Sequence, residues 1–127
     1  MLGAVLIVDD AKVVRTSLAR IMKKCGYDSF EAENGEVALQ LFAEHPDIRA
    51  VFLDLNMPVM GGMEFLEEFK RIYVDMKRPP VIVVSTETEM SSILKALSLG
   101  ASEYVMKPFD EDVVVGKLDI VGIRHKL

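Results

Sequence analysis

Six positions in this chain carry side chains that could act together. Asp9 and Asp10 stand directly after the apolar run Ala4–Val8. Asp54 follows a second run, Ala50–Leu53, and Ser85-Thr86 follow a third, Val81–Val84. Lys107, with Pro108 after it, follows the weaker run Glu103–Met106. Taken singly, each is the kind of residue that ends a strand or opens a helix, and Asp10 could serve only as a cap. The set is harder to assign to turns. Carboxylates brought together repel one another and raise each other's pKa unless a cation intervenes. A hard divalent ion with oxygen ligands answers that problem, and Mg²⁺ is typically held by few carboxylates and keeps some waters. An aspartate between such an ion and a lysine is a nucleophile whose product could be anionic, such as an acyl phosphate.

These residues converge only if the chain folds so as to bring distant strand ends to one edge. The apolar runs are short and rich in Val, Ile and Leu, as in strands covered on both faces. Ser29–Ala32 is a further, weaker strand candidate. Helical patterns separate the runs. Val13, Val14, Leu18, Ile21, Met22 and Cys25 trace a first face, stopped by Gly26. Val37, Ala38, Leu41 and Phe42 trace a second, closed by Pro46. Phe65, Leu66, Phe69, Ile72 and Tyr73 trace a third, which must end before Pro79-Pro80. Ile93, Leu94, Leu97 and Leu99 mark a fourth, and Val113, Val114, Leu118 and Val121 a fifth with Asp110 as N-cap. Strand and helix thus alternate five times. That order predicts a parallel α/β sheet with helices on both faces, joined by right-handed crossovers. Five units are too few for an eight-fold barrel, so an open doubly wound sheet is expected, with its site beyond the C-terminal strand ends.

Composition sets the outer limits. The 127 residues make one domain, 1–127, with half of them apolar and 28% charged. The net charge of −5 makes nucleic acid and anionic lipid poor partners. No run approaches the ~20 apolar residues of a membrane span, and the N-terminus lacks the features of a signal peptide. The single cysteine, Cys25, excludes an internal disulfide and fits a reducing, cytoplasmic setting. Its place in the apolar pattern makes it a core thiol. His45 and His125 have no partners at ligand spacing and are expected on the surface. Met22 and Met106 are expected in the core, and Met57 under the loop before Pro58. Lys12, Arg15, Arg20, Lys23 and Lys24 give the first helix a basic face, which is either simply solvated or a docking face for a kinase.

Four blocks together resemble the receiver domain of two-component response regulators, of the small chemotaxis type. They are Asp9-Asp10, then Asp54-Leu55-Asn56-Met57-Pro58 with Gly61-Gly62, then Ser85, and Gly100 through Phe109 around Tyr104 and Lys107-Pro108. The resemblance implies a flavodoxin-like five-stranded sheet of order 2-1-3-4-5 with five helices. It implies that Asp54 is the phosphoacceptor for a sensor histidine kinase or phosphotransfer protein. Asp10, Asp54 and the carbonyl of Asn56 would bind Mg²⁺ directly, with Asp9 acting through water. Lys107 would contact the phosphoryl oxygens, Ser85 would close on them, and Tyr104 would turn inward, altering the surface of the fourth helix, fifth strand and fifth helix. The Lys107-Pro108 bond would be cis. Two departures carry expectations of their own. Thr86 stands where a smaller residue is usual and is expected to narrow access to Asp54 or to restrict Tyr104. Gly61-Gly62 replaces an acidic residue plus glycine and is expected to loosen the loop after Pro58.

The leading reading is therefore a phosphorylation-driven switch without an output domain, a monomer that dimerises, if at all, on phosphorylation. A phosphate sink or a receiver from a larger regulator are its variants. An aspartate-nucleophile phosphohydrolase is a different class, disfavoured because Asn56 stands where an acid or base is needed and no cap segment exists. A flavin-binding electron carrier is a third, disfavoured because Asp9-Asp10 would repel a phosphate.

Overall fold

The computed structural model describes residues 1–127 and consists of five strands and five helices in strict alternation. The strands are β1 (Gly3–Val8), β2 (Tyr27–Ala32), β3 (Val51–Leu53), β4 (Val81–Ser85) and β5 (Glu103–Met106). The helices are α1 (Lys12–Cys25), α2 (Gly35–Glu44), α3 (Gly62–Ile72), α4 (Met90–Ser98) and α5 (Glu111–Ile120). All pairings are parallel, and the order is β2-β1-β3-β4-β5. Leu6–Val8 align with Val51–Leu53, which align in turn with Val81–Val83. That register brings the C-terminal ends of β1 and β3 level, and the residues after them emerge together.

The two-residue period of each strand divides the interior. Leu6, Val8, Val51, Leu53, Val81 and Val83 pack on one face with Phe42, Phe65 and Phe69 of α2 and α3. Val5, Ile7, Phe52, Ile82 and Val84 pack on the other with α1 and α5, through Leu18, Met22, Val114 and Leu118. Each fully buried Phe or Leu contributes about 1.5–3 kcal/mol relative to exposure, so the central strands are anchored from both sides.

The helix ends follow local chemistry. Gly26 ends α1 in the left-handed conformation, φ 99°, its N–H bonded to the Lys23 and Met22 carbonyls. Asp110 caps α5 by accepting from the Val113 N–H at 3.0 Å, as its position implied. Asn34 caps α2 in the same way through the Val37 N–H at 2.9 Å. The Lys107-Pro108 bond is cis.

Several expected core positions lie outside. Val13 is 82% exposed because the buried stripe of α1 runs through Leu18, Ile21, Met22 and Cys25, one step round the helix. Ile72 is exposed because Tyr73 takes its place, edge-on to Phe42 and Phe69. Leu94, Leu97, Met106 and Val113 are exposed as well. β2 starts at Tyr27, two residues earlier than the apolar pattern implied, since the Tyr27 ring is itself buried. The histidines are not free surface groups. His45 stacks on Phe30 with ring centroids 4.1 Å apart, and His125 meets Asp119 at 2.6 Å. Cys25 is buried, and that burial pushes its thiol pKa up, consistent with an inert core group.

Candidate functional site

The β1–α1 turn carries Asp9 and Asp10, and the two residues are held differently. Asp9 is buried and every polar group it has is engaged. Its N–H donates to the Ala32 carbonyl at 3.0 Å, so β2 fixes its backbone. Its Oδ1 accepts from the Ala11 N–H at 2.8 Å, and its Oδ2 from Lys107 Nζ at 2.8 Å. Its carbonyl accepts from Arg15 Nη1 at 2.7 Å. Asp10 is exposed and does not cap α1, whose N-cap residue is Ala11. Asp54 emerges from β3, its N–H bonded to the Val8 carbonyl at 2.9 Å, and is buried. Lys107 Nζ lies 3.7 Å from Asp54 Oδ1. One carboxylate oxygen from each of Asp9, Asp10 and Asp54 lies within 4.8 Å of the others.

Burial, and next the negative charge of Asp9, push the Asp54 carboxyl pKa up, while Lys107 pulls the other way. The crowding of carboxylates is therefore only partly relieved by the lysine. Three carboxylates at this separation, one of them facing solvent, form a hard-oxygen donor set open on one side, which suits Mg²⁺.

The loop after Asp54 is pinned at both ends. The Gly62 N–H donates to the Leu55 carbonyl at 3.0 Å, and the Gly35 N–H to the Met60 carbonyl at 2.9 Å. A side chain at Gly62 would collide with the Asp54 carbonyl and the Leu55 backbone, so the glycine is what lets α3 start against the acidic edge. Gly62 is thus the glycine that this close approach requires, and Gly61 is the position where the acidic residue is replaced. Val59 sits at the loop tip with φ 68°, a left-handed conformation costly for a β-branched residue. Asn56 is exposed beside Asp54, and Met57 packs against the core beneath.

On β4, Ser85 is fully buried and its Oγ accepts from the Glu87 N–H at 3.1 Å. Tyr104 is half-buried, and its hydroxyl donates to the Glu87 carbonyl at 2.7 Å. Burial raises the Tyr104 pKa. Ser85 and the Tyr104 ring are therefore tied to one peptide segment, a link no residue type announced. Thr86 is exposed and lines an open groove of about 330 Å³ with Val13, Val14, Ser17, Lys107 and Phe109. That groove lies on the α1 side, whereas the Tyr104 ring packs with the cluster under α2, α3 and α4. Thr86 thus borders the groove beside Lys107, between Ser85 and the Glu87 peptide that holds the Tyr104 hydroxyl.

The structure brings together Asp9, Asp10, Asp54 and Lys107 at one edge, with Ser85 on the adjoining strand. It removes Arg15 from the basic face of α1, turning it inward to Asp9 and to Glu31, whose Oε1 it meets at 3.0 Å. Lys23 pairs with Asp28 and Lys24 with Glu111, which leaves Lys12 and Arg20 as the unpaired cations of that face. The inward turn of Arg15 had a trace in the sequence. Residues 15, 18, 22 and 25 share one helical stripe, and the last three are its buried members.

Comparison with known proteins agrees with this geometry. Residues 5–119 match the response regulator receiver domain family. The chain belongs to that family. It is 34% identical over 121 residues to a chemotaxis protein CheY homolog of Campylobacter jejuni, covering 92% of this chain and 91% of that one. It is also 39% identical over 112 residues to the regulatory protein AtoC of Escherichia coli, covering 87% of this chain but 23% of AtoC. Among solved structures, the chemotaxis protein CheY4 of Vibrio cholerae superimposes with a TM-score of 0.86 at 27% identity, covering 95% of this chain and 99% of that one. The protein is thus a receiver of the response-regulator type, a phosphoacceptor switch domain with the flavodoxin-like sheet that the resemblance implied.

Proposed function

We propose that Asp54 accepts the phosphoryl group, from a phosphohistidine on a sensor histidine kinase or phosphotransfer protein. A carboxylate oxygen of Asp54 attacks phosphorus in line as the P–N bond to the donor imidazole breaks. The product is an acyl phosphate, and the imidazole takes up a proton. The observation that carries this reading is the placement of Asp54: a buried carboxylate with a raised pKa, 3.7 Å from Lys107 and adjoining two further carboxylates. Asp10, Asp54 and the Asn56 carbonyl would hold Mg²⁺ directly, with Asp9 acting through water. Bound there, the ion supplies charge neutralisation for the phosphoryl oxygens. Lys107 moves from Asp9 toward the incoming phosphoryl group, and Ser85 donates its hydroxyl proton to a phosphoryl oxygen.

Ser85 Oγ now accepts from Glu87, so its engagement with phosphate releases or drags that segment, and Tyr104 moves with it. The surface of α4, β5 and α5 changes as a result, and a target protein reads it. The likeness to chemotaxis proteins supports control of motility as the output. The reading is completed by a cytoplasmic monomer that dimerises only on phosphorylation, if at all. The AtoC match supports a second reading, in which the same switch serves a larger regulator.

The test is labelling with acetyl phosphate and Mg²⁺. Asp54→Asn lowers the rate by roughly 10³-fold or more, since it removes the nucleophile itself. Wild-type labelling in the variant overturns the assignment. The variant has a second signature. A carboxyl whose folded pKa is raised stabilises the fold below its unfolded pKa, and that stability is lost as pH rises through the folded value. Urea midpoints in EDTA therefore fall across that range in wild type, and the fall is smaller in Asp54→Asn.

A further inference from the structure

Arg15 is a cation that the phosphoryl-transfer reading leaves unused. It sits one helical turn into α1, with 16% of its side chain exposed, and it makes two contacts. Its Nη1 donates to the Asp9 carbonyl at 2.7 Å, and its Nε to Glu31 Oε1 at 3.0 Å. Glu31 lies on β2 next to Ala32, the residue whose carbonyl receives the Asp9 N–H. The guanidinium therefore spans α1, β2 and the β1–α1 turn.

The Asp9 carbonyl belongs to the peptide unit that joins Asp9 to Asp10. Fixing that oxygen fixes the peptide plane, and the plane sets the direction in which the chain and then the Asp10 side chain leave. The carbonyl of Asp9 begins no helical ladder, because the α1 N-terminal bonds run from Val14 and Arg15 back to Ala11. Among protein groups, Arg15 is its donor. Asp9 itself is held independently by Ala32, Ala11 and Lys107. Asp10 has no such ties and is exposed, so its direction depends on the peptide before it.

We propose that Arg15, braced by Glu31, is a positioning residue that orients the Asp9–Asp10 peptide and so sets the divalent-cation affinity of the acidic edge. The proposal rests on the reading of Asp10 as a Mg²⁺ ligand. Arg15 touches neither ion nor phosphate and acts through the main chain. Electrostatics alone makes the opposite prediction. A fixed positive charge near a cation site opposes metal binding, so deleting it should tighten Mg²⁺. Positioning predicts weakening, because groups that orient metal ligands typically contribute 10–100-fold in affinity. The sign of the change separates the two.

The experiment uses the full chain, ¹⁵N-labelled, titrated with Mg²⁺ and followed by NMR. Arg15→Met weakens Mg²⁺ roughly tenfold or more. In EDTA, before any metal is added, it also shifts the Asp10 amide, whose nitrogen shares the peptide with the Asp9 carbonyl. Arg15→Lys recovers part of the affinity, since an ammonium still donates to the carbonyl but lacks the fork that also reaches Glu31. Because it keeps the charge and the long side chain, Arg15→Lys also guards against an Arg15→Met chain that folds poorly. Leu18→Ala, which destabilises α1 without touching the Asp9 carbonyl, leaves Mg²⁺ affinity near wild type. Unchanged or tighter Mg²⁺ in Arg15→Met overturns the proposal, as does an equal loss in Leu18→Ala. Should wild type itself show no Mg²⁺ response, the metal reading falls, and the Asp10 amide in EDTA still decides whether Arg15 orients that peptide.

Discussion

At the C-terminal ends of β1 and β3, Asp9 has each of its polar groups engaged, Asp54 is tied to Val8, and Gly62 locks α3 onto the Leu55 carbonyl. Across β4, α4 buries only Ala96 and leaves Met90, Leu94 and Leu97 in solvent. The first region does chemistry that needs carboxylates fixed to a fraction of an ångström. On the proposed reading, the second reports the outcome and must move at low cost. A helix with one buried residue has little packing to lose when it shifts. Rigidity and looseness therefore sit on either side of β4, and Ser85 with Glu87 forms the seam between them.

The largest effect expected from breaking the rigid side short of the acceptor itself is at Gly62. Gly62→Ala pushes a methyl group into the Asp54 carbonyl and the Leu55 backbone, neither of which can turn aside as a flexible side chain could. Overpacking of this kind costs about 1–3 kcal/mol. Because the displaced atoms belong to the acceptor's own main chain, labelling by acetyl phosphate slows as well. Urea denaturation and labelling rates check the two parts. A stable variant that labels at the wild-type rate would show that α3 does not set the position of Asp54.

The seam comes next. Ser85→Ala removes the acceptor of the Glu87 N–H and the donor proposed for the phosphoryl group. Phosphorylation persists, because Asp54 and Lys107 are intact. The coupling to Tyr104 weakens by about 1–2 kcal/mol, within the usual range of coupling energies between sites. NMR of the Tyr104 ring with and without a beryllofluoride adduct measures it. A full Tyr104 response in the variant would show that the message leaves the rigid region by another route.

The same division decides what the sequence could reveal. The alternation of strands and helices and the acidic edge were legible because uniformly apolar runs and the polar residues ending them are local patterns, whereas the order β2-β1-β3-β4-β5 came only with the family resemblance. Ser85, Lys107 and the three aspartates needed no more than that. Arg15 was misread because a long cation on an otherwise apolar stripe looks like a surface residue until its partner, a backbone carbonyl, is in place. Glu87 was missed because it works through its own N–H and carbonyl, which every residue has. The need for glycine at Gly62 was not legible, since its close approach to Asp54 is a tertiary fact. The α4 pattern read as core because Leu94 and Leu97 keep helical spacing. Spacing marks an apolar face and does not say what covers it.

That last misreading gives the smallest expected effect, and it tests the loose side directly. If α4 were a packed helix like α3, trimming Leu94 would leave a cavity and cost about 2–5 kcal/mol, as for a buried leucine. At 57% exposure there is no cavity to leave. Leu94→Gln keeps the helix propensity, since Leu and Gln are close on that scale, and changes only an exposed surface. Its urea midpoint therefore stays within about 0.5 kcal/mol of wild type, the range of ordinary surface substitutions. Labelling of Asp54 is unchanged, because Leu94 is exposed and takes no part in the acidic edge. Binding to a target that reads α4, β5 and α5 is where the variant should differ, through loss of an apolar contact. A destabilisation of 2 kcal/mol or more would mean that α4 is held as firmly as the acidic edge. The contrast between a fixed chemical side and a movable reporting side would then fail at its simplest point.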